Sequence, residues 1–350
     1  MVTRLLTRIA ANRGGPGSVV TSDQRCPTLA WDKSMNLADG NLLVLGVGTS
    51  WLPPLISVAI GAAIAVVVCV GFWFLLQGLA PKVAAIAQTT AKEAVSQPLF
   101  YLILALGITA LVIFPFVPYN TFGEDVKMLK AEDLTLIKVL AIVLALWTAS
   151  VSIADEIEGR TALTVLSKPI SRRQFILGKF VGILVPVVLL FLILGALFLA
   201  SVSYKVSYDA RESALPEPTS LECMNEMVQI APGLALAFLE AVVMTAISVA
   251  IATRLPMLPN LTICVSVYVL GHLVPVLVNS SIGQFEVVNF VGRFLAAVLP
   301  VLEHFSMETA ISTGQRVPWA YLAVATGYAA IYSLMALFLA LLLFEDRDLA

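Results

Sequence analysis

Read by apolar and polar positions, the chain alternates between long unbroken hydrophobic runs and short polar interruptions. The runs cover residues 55–79, 99–117, 135–154, 180–202, 231–252, 261–279 and 320–344. A transmembrane helix needs about 20 consecutive apolar residues, so these seven runs predict seven spanning helices. An eighth apolar segment, "VVNFVGRFLAAVLPVLEHF" at 287–305, is broken by Arg293, Pro300 and Glu303. It reads as short helices lying at the membrane interface or dipping into it. The predicted fold class is an all-α polytopic membrane protein. No internal repeat stands out.

Composition agrees with the pattern. Hydrophobic residues make up 59% of the 350 residues and charged ones 13%. Soluble domains sit near 45–50% and about 25%. The formal net charge of -2 comes with no basic domain, so nucleic acid is not an expected partner. The bilayer is. Cys26, Cys69, Cys223 and Cys264 form no CxxC pair, which argues against a disulfide framework or a zinc site.

Residues 1–50 stand apart. Arg4, Arg8 and Arg13 occur with no acid among the first twenty residues, followed by "RGGPGS". The favoured reading is a disordered tail or an over-extended start, with Met35 as an alternative first residue. The other reading is a targeting peptide, since such peptides are Arg-rich and acid-poor.

Loop charges set the orientation. The segment 153–179 holds Arg160, Lys168, Arg172, Arg173 and Lys179, whereas 203–230 holds Lys205 and Arg211 against five acids. The positive-inside rule puts the first in the cytoplasm and the second outside. Alternation then predicts a cytoplasmic C-terminus and, against its arginines, an external N-terminal tail.

The cytoplasmic segment, "DEIEGRTALTVLSKPISRRQFILGK" from Asp155 to Lys179, is among the most charged of the chain. Asp155, Glu156 and Glu158 suit the positive end of a helix dipole and predict a helix start. Pro169 predicts a break near Ser167–Lys168. Ser171 followed by Gln174 fits a capping box opening the next helix. Arg172, Arg173 and Lys179 are expected to reach outward to the headgroups. These residues alone leave two readings open: an interfacial anchor, or a docking element for a cytoplasmic partner.

The wording of the stretch resembles the loop between the second and third core helices of ABC-2 type transporter permeases. There, acidic residues precede a G-T or R-T-L segment, a P-[IV]-S-R element follows, and G-K opens the next span. Glu156, Glu158, Gly159, Thr161, Leu163, Leu166, Pro169, Ser171, Arg172, Gly178 and Lys179 occupy those positions. "IAQTTAKEAVSQPLFYLILAL" is similar to the elbow helix before the first core span, and "LALLLFEDRDLA" to the closing span. The resemblance covers about 83–350 and implies a six-span core, with 55–80 an additional helix. It further implies that 155–173 forms a coupling helix docking on a separate ABC ATPase subunit, with Gly178 and Lys179 the hinge into the span. A second permease copy or paralogue is the other implied partner, and the cell (inner) membrane the implied location.

No G-x-x-x-x-G-K-[ST], G-x-S-x-G or H-E-x-x-H occurs, so this chain is not expected to be an enzyme. No catalytic or metal residue is nominated and no cofactor is expected in this chain, ATP belonging to the partner. Within the spans, Glu240 in "LAFLEAVVMTA" is the candidate for the translocation path, the alternative being a carboxyl near the interface or protonated between helices. His272 reads as a packed, hydrogen-bonded histidine, and Lys138 as a side chain snorkelling to the outer face. The acidic 203–230 region reads as a solvated surface. The leading expectation is the membrane subunit of an ATP-driven exporter. The alternative is a non-transporting scaffold that recruits a cytoplasmic partner through the same loop.

Overall fold

The computed structural model describes residues 51–117, 124–158, 171–213, 216–279, 286–307, 310–311, 314–315 and 317–345. Among the described residues every regular element is helical. In chain order they are α1 (Pro53–Leu79), α2 (Pro81–Ser96), α3 (Pro98–Ile113), α4 (Asp125–Glu158), α5 (Arg172–Glu212), α6 (Ser220–Ala252), α7 (Met257–Asn279), α8 (Glu286–Val298) and α9 (Trp319–Glu345). Seven helices are long and apolar enough to cross a membrane. The protein is thus an all-α polytopic membrane protein.

Proline and capping signals place the joints. Pro81 opens α2 one residue after α1 ends. Gln97 is extended, as a residue before proline should be, and turns the chain from α2 into α3. α5 begins at a capping box: Ser171 accepts from the Gln174 amide at 3.3 Å, and the Gln174 side chain accepts from the Ser171 amide at 3.1 Å. Thr219 and Glu222 open α6 in the same way.

α4, α5 and α6 form the centre of the bundle and pack on one another. Their buried faces carry Ile137, Ala141 and Leu144 on α4, Val187, Leu190, Leu194 and Phe198 on α5, and Leu236, Ala241 and Met244 on α6. α9 lies along α6 and α5, α7 against α4 and α6, and α2 along α5. α1 is the peripheral helix: apolar all round and almost wholly exposed within the molecule, it faces lipid.

α2 is amphipathic. Val83, Ala84, Ile86, Ala87, Thr90, Ala91 and Ala94 are buried at helical spacing, while Lys82, Lys92 and Glu93 are exposed. It approaches α5 closely because Gly178 and Gly182 present no side chain there. A Cβ on Gly178 would stand 2.7 Å from Ile86 Cβ, and one on Gly182 2.8 Å from the Ala87 carbonyl oxygen. This small-x-x-x-small spacing allows backbones to pack without a hydrophobic driving force between helices in lipid.

Three expectations change. α4 runs unbroken to Glu158, so Asp155, Glu156 and Glu158 end a helix rather than start one; the expected break at 168–169 lies outside the described residues. The central helices also extend past the apolar runs: α4, α5 and α6 have 34, 41 and 33 residues. At 1.5 Å per residue, α5 is about 60 Å long, roughly twice the hydrocarbon thickness. Most of the described residues of 203–230 are accordingly helical rather than loop, with Glu212, Glu217 and Glu222 exposed as a solvated surface and Lys205 buried. The segment at 287–305 behaves as read: α8 has 13 residues, too few to cross, with Phe290, Val291, Phe294 and Val298 exposed on one side.

Candidate functional site

Buried polar groups recur along the bundle, from the end where α4 stops and α5 begins (the junction end) through a charged cluster near the middle to the far end. At the junction end, Lys179 is 3% exposed. Its Nζ donates to the Ser152 carbonyl oxygen at 3.1 Å and to the Ser152 hydroxyl at 3.0 Å. It also lies 5.8 Å from the Phe175 ring centroid. The expectation that Lys179 reaches the headgroups is therefore corrected. The glycines around it bring α2 down over α5 and close off the outward route, so the ammonium turns inward to α4. Nearby, Phe175 stacks on Phe344 of α9 with centroids 5.7 Å apart, and Arg172 lies over the same ring at 6.0 Å.

Of the residues singled out in the coupling stretch, Ser171 caps α5 and Arg172 opens it, exposed. Gly178 and Lys179 are packed one turn further in. Glu156 and Glu158 fall in the last turn of α4. Gly159, Thr161, Leu163, Leu166 and Pro169 lie outside the described residues.

The middle cluster is built on three helices. Glu240 of α6 is fully buried; its Oε2 stands 3.5 Å from Lys138 Nζ on α4, and its Oε1 stands 3.4 Å from His272 Nε2 on α7. His272 Nδ1 lies 3.1 Å from the Tyr268 carbonyl oxygen, and the Tyr268 ring is 4.8 Å away. Lys138 is 8% exposed, so it does not snorkel. The Glu240 carboxylate on the adjacent helix α6 compensates its charge, and leaving that partner unpaired in hydrocarbon would cost more than staying. The signal was in the sequence: two opposite charges in different spans each need a partner.

Toward the junction end the same three helices share a neutral network. Asn260 Nδ2 donates to the Ser150 hydroxyl at 2.8 Å and to the Ser248 hydroxyl at 3.1 Å, and Cys264 donates to Asn260 Oδ1 at 3.3 Å. Toward the far end, Lys130 pairs with Glu226. Lys205, 1% exposed, stands 3.7 Å from Asp125 and under the Tyr208 ring, and Ser201 donates to Asp133 at 3.2 Å. None of these far-end pairs is legible from one segment, because each joins helices distant along the chain.

Two chambers run along the seam between α4 and α6. The outer one, about 140 Å³, is bordered by Lys127, Lys130, Glu226 and Gln229. It shares Met307 and Ile311 with a narrow space of about 10 Å³ that reaches Thr135 and Lys138. Gly233 lets Met307 pack closely on α6, since a Cβ there would meet Met307 Sδ. A separate apolar cavity of about 410 Å³ lies between α1, α5 and α6. Among the described residues, no three His, Cys, Asp or Glu side chains gather as a metal site.

Residues 114–349 match the family model described as ABC-2 family transporter protein. No curated protein matches the chain.

Proposed function

Because the chain belongs to the ABC-2 family of transporter proteins, a match that covers most of its length, we propose that it is the permease subunit of an ATP-driven exporter whose ATP is hydrolysed by a separate ABC ATPase. In this reading the segment 155–173 docks on that ATPase. Glu156, Glu158, Gly159, Thr161, Leu163, Leu166, Pro169, Ser171 and Arg172 form the contact, and the junction end with the C-terminus faces the cytoplasm of a cell (inner) membrane. A second permease copy or paralogue completes the transporter, and Glu240 lines the translocation path.

The observation that most supports this reading is the Lys179–Ser152 contact. It ties the end of α4 to the start of α5 on either side of the docking segment. A displacement there is handed to two central helices together. Gly178 and Lys179 then act as a clamp rather than a hinge.

The test is co-purification of the membrane complex followed by ATPase assay in lipid. An ATPase should accompany the protein, and Glu156→Ala combined with Arg172→Ala should uncouple its activity. Absence of an ATPase, with activity unchanged in the double variant, sinks the coupling role.

A further inference from the structure

The geometry around Glu240 raises a problem of proton placement. A backbone carbonyl only accepts hydrogen bonds. His272 Nδ1 lies 3.1 Å from the Tyr268 carbonyl oxygen and Nε2 3.4 Å from Glu240 Oε1, and a neutral ring has one N–H for these two acceptors. With that proton on Nδ1, Nε2 presents a lone pair. That lone pair faces Glu240 Oε1 at 3.4 Å, so a neutral ring beside an ionised carboxylate sets two acceptors against each other. One additional proton on the line between Nε2 and Oε1 turns this opposition into a hydrogen bond, whichever of the two atoms holds it. Lys138, on the other carboxylate oxygen at 3.5 Å, balances the carboxylate but does not lie between the opposed atoms.

Of the elements packed around the cluster, α8 against α7 carries Glu286 and Arg293, and α4 and α6 carry further charges toward their ends. α5 brings no charged residue between Phe180 and Tyr204, and α9 none between Trp319 and Phe344. α1 and α3 carry no charged residue, and α7 has His272 as its sole titratable side chain besides Cys264 and Tyr268. In the 302–307 segment, Glu303 and His304 are exposed. The α4–α6 seam leads toward the cluster: a chamber of about 140 Å³ beside Lys130 and Glu226, then a space of about 10 Å³ that reaches Thr135 and Lys138.

We propose that Lys138, Glu240 and His272 form an intramembrane proton-binding site, taking one proton from water in the α4–α6 seam. With the proton bound, the cluster carries a net charge of +1 and α7 is drawn to α6. When the proton leaves, the net charge falls to zero and the α6–α7 contact becomes repulsive, which frees α7 to shift. Only the use of that shift in transport rests on the permease reading above; the proton site itself does not.

The experiment uses the full chain in lipid bilayers with 15N-labelled imidazole. The chain has two histidines, so the His304→Gln variant leaves the His272 signal alone. At about pH 6 to 8, two results support the site. One is an imidazolium with both nitrogens protonated, which reverts to a neutral ring in Glu240→Gln. The other is a neutral ring whose Nε2 accepts from a protonated carboxyl, seen as an infrared carbonyl band that Glu240→Gln abolishes. A neutral ring beside an ionised Glu240 throughout that range, with its proton on either nitrogen, overturns the proposal, as does a His272 signal indifferent to Glu240→Gln. The protonation state of the His272 ring is itself read in His304→Gln with Glu240 intact, so poor folding of Glu240→Gln leaves the choice between an imidazolium and a neutral ring beside an ionised carboxylate decidable. No ATPase or substrate is involved, so failure here leaves the permease reading intact, and loss of ATPase coupling leaves the proton site intact.

Discussion

Among the buried lysines, Lys179 and Lys138 have surroundings that differ in kind. Lys179 is held by neutral dipoles, the carbonyl and hydroxyl of Ser152, at ordinary hydrogen-bond distances. Lys138 is held by a full charge, Glu240, at a longer 3.5 Å, and shares it with His272. Neutral dipoles impose a fixed geometry and ask little of the neighbours when the protein moves. A buried charge shared between two partners is costly to break but easy to rebalance by a proton. The first arrangement suits a clamp, the second a responsive site.

The sharpest way to break the comparison is at Glu240. Glu240→Leu leaves the Lys138 ammonium buried without its counter-charge, and stability should fall by about 3–5 kcal/mol. Unfolding in bicelles would measure this. Adding Lys138→Met should restore most of the loss, because an apolar pair of similar volume replaces the ion pair. If the double variant is no better than the single, the charge pair is not what the site depends on.

The next effect is at the α2–α5 contact that seals Lys179 inside. Gly182→Val forces a Cβ to within 2.8 Å of the Ala87 carbonyl oxygen, which is backbone and cannot rotate away. The expected loss is about 1–3 kcal/mol. Gly195→Ala is the control, since its nearest neighbour would be 3.5 Å away, and its effect should be near zero. Lys179→Met removes two hydrogen bonds while keeping the volume, for about 1–2 kcal/mol. If Lys179 is a clamp, ATP turnover by the complex should also lose its link to transport in this variant; a drop in stability alone would make it merely structural. The smallest effect is Ser171→Ala, which deletes the cap of α5 and should cost about 1 kcal/mol.

The apolar runs were enough to locate seven spans, because hydrocarbon tolerates no other composition over that length. The helix ends were not legible by the same rule. Lys130 and Asp133 read as loop to a hydropathy pattern, yet they continue α4 because their partners, Glu226 on α6 and Ser201 on α5, sit on equally long helices. Asp155, Glu156 and Glu158 show the converse: their charge suits a helix start, and the hydrogen-bonded run of α4 from Asp125 simply overrides it. At the candidate site, the Ser171–Gln174 cap was readable because its chemistry is local. The Lys138–Glu240–His272 cluster was legible only as opposite charges in two spans that each need a partner; which groups meet was not, since its members are over thirty residues apart in the chain.

The contacts between α4 and α5 have one more consequence. Lys179 to Ser152 is a rung at the junction end, and Lys205 to Asp125 is a rung at the far end. The two helices run antiparallel, and about 40 Å of helix separates the rungs along either rail. A ladder pinned at both ends cannot splay or shear without breaking a rung. Force applied at the foot therefore moves the whole frame as one beam, and whatever leans on its upper half is displaced by the same stroke.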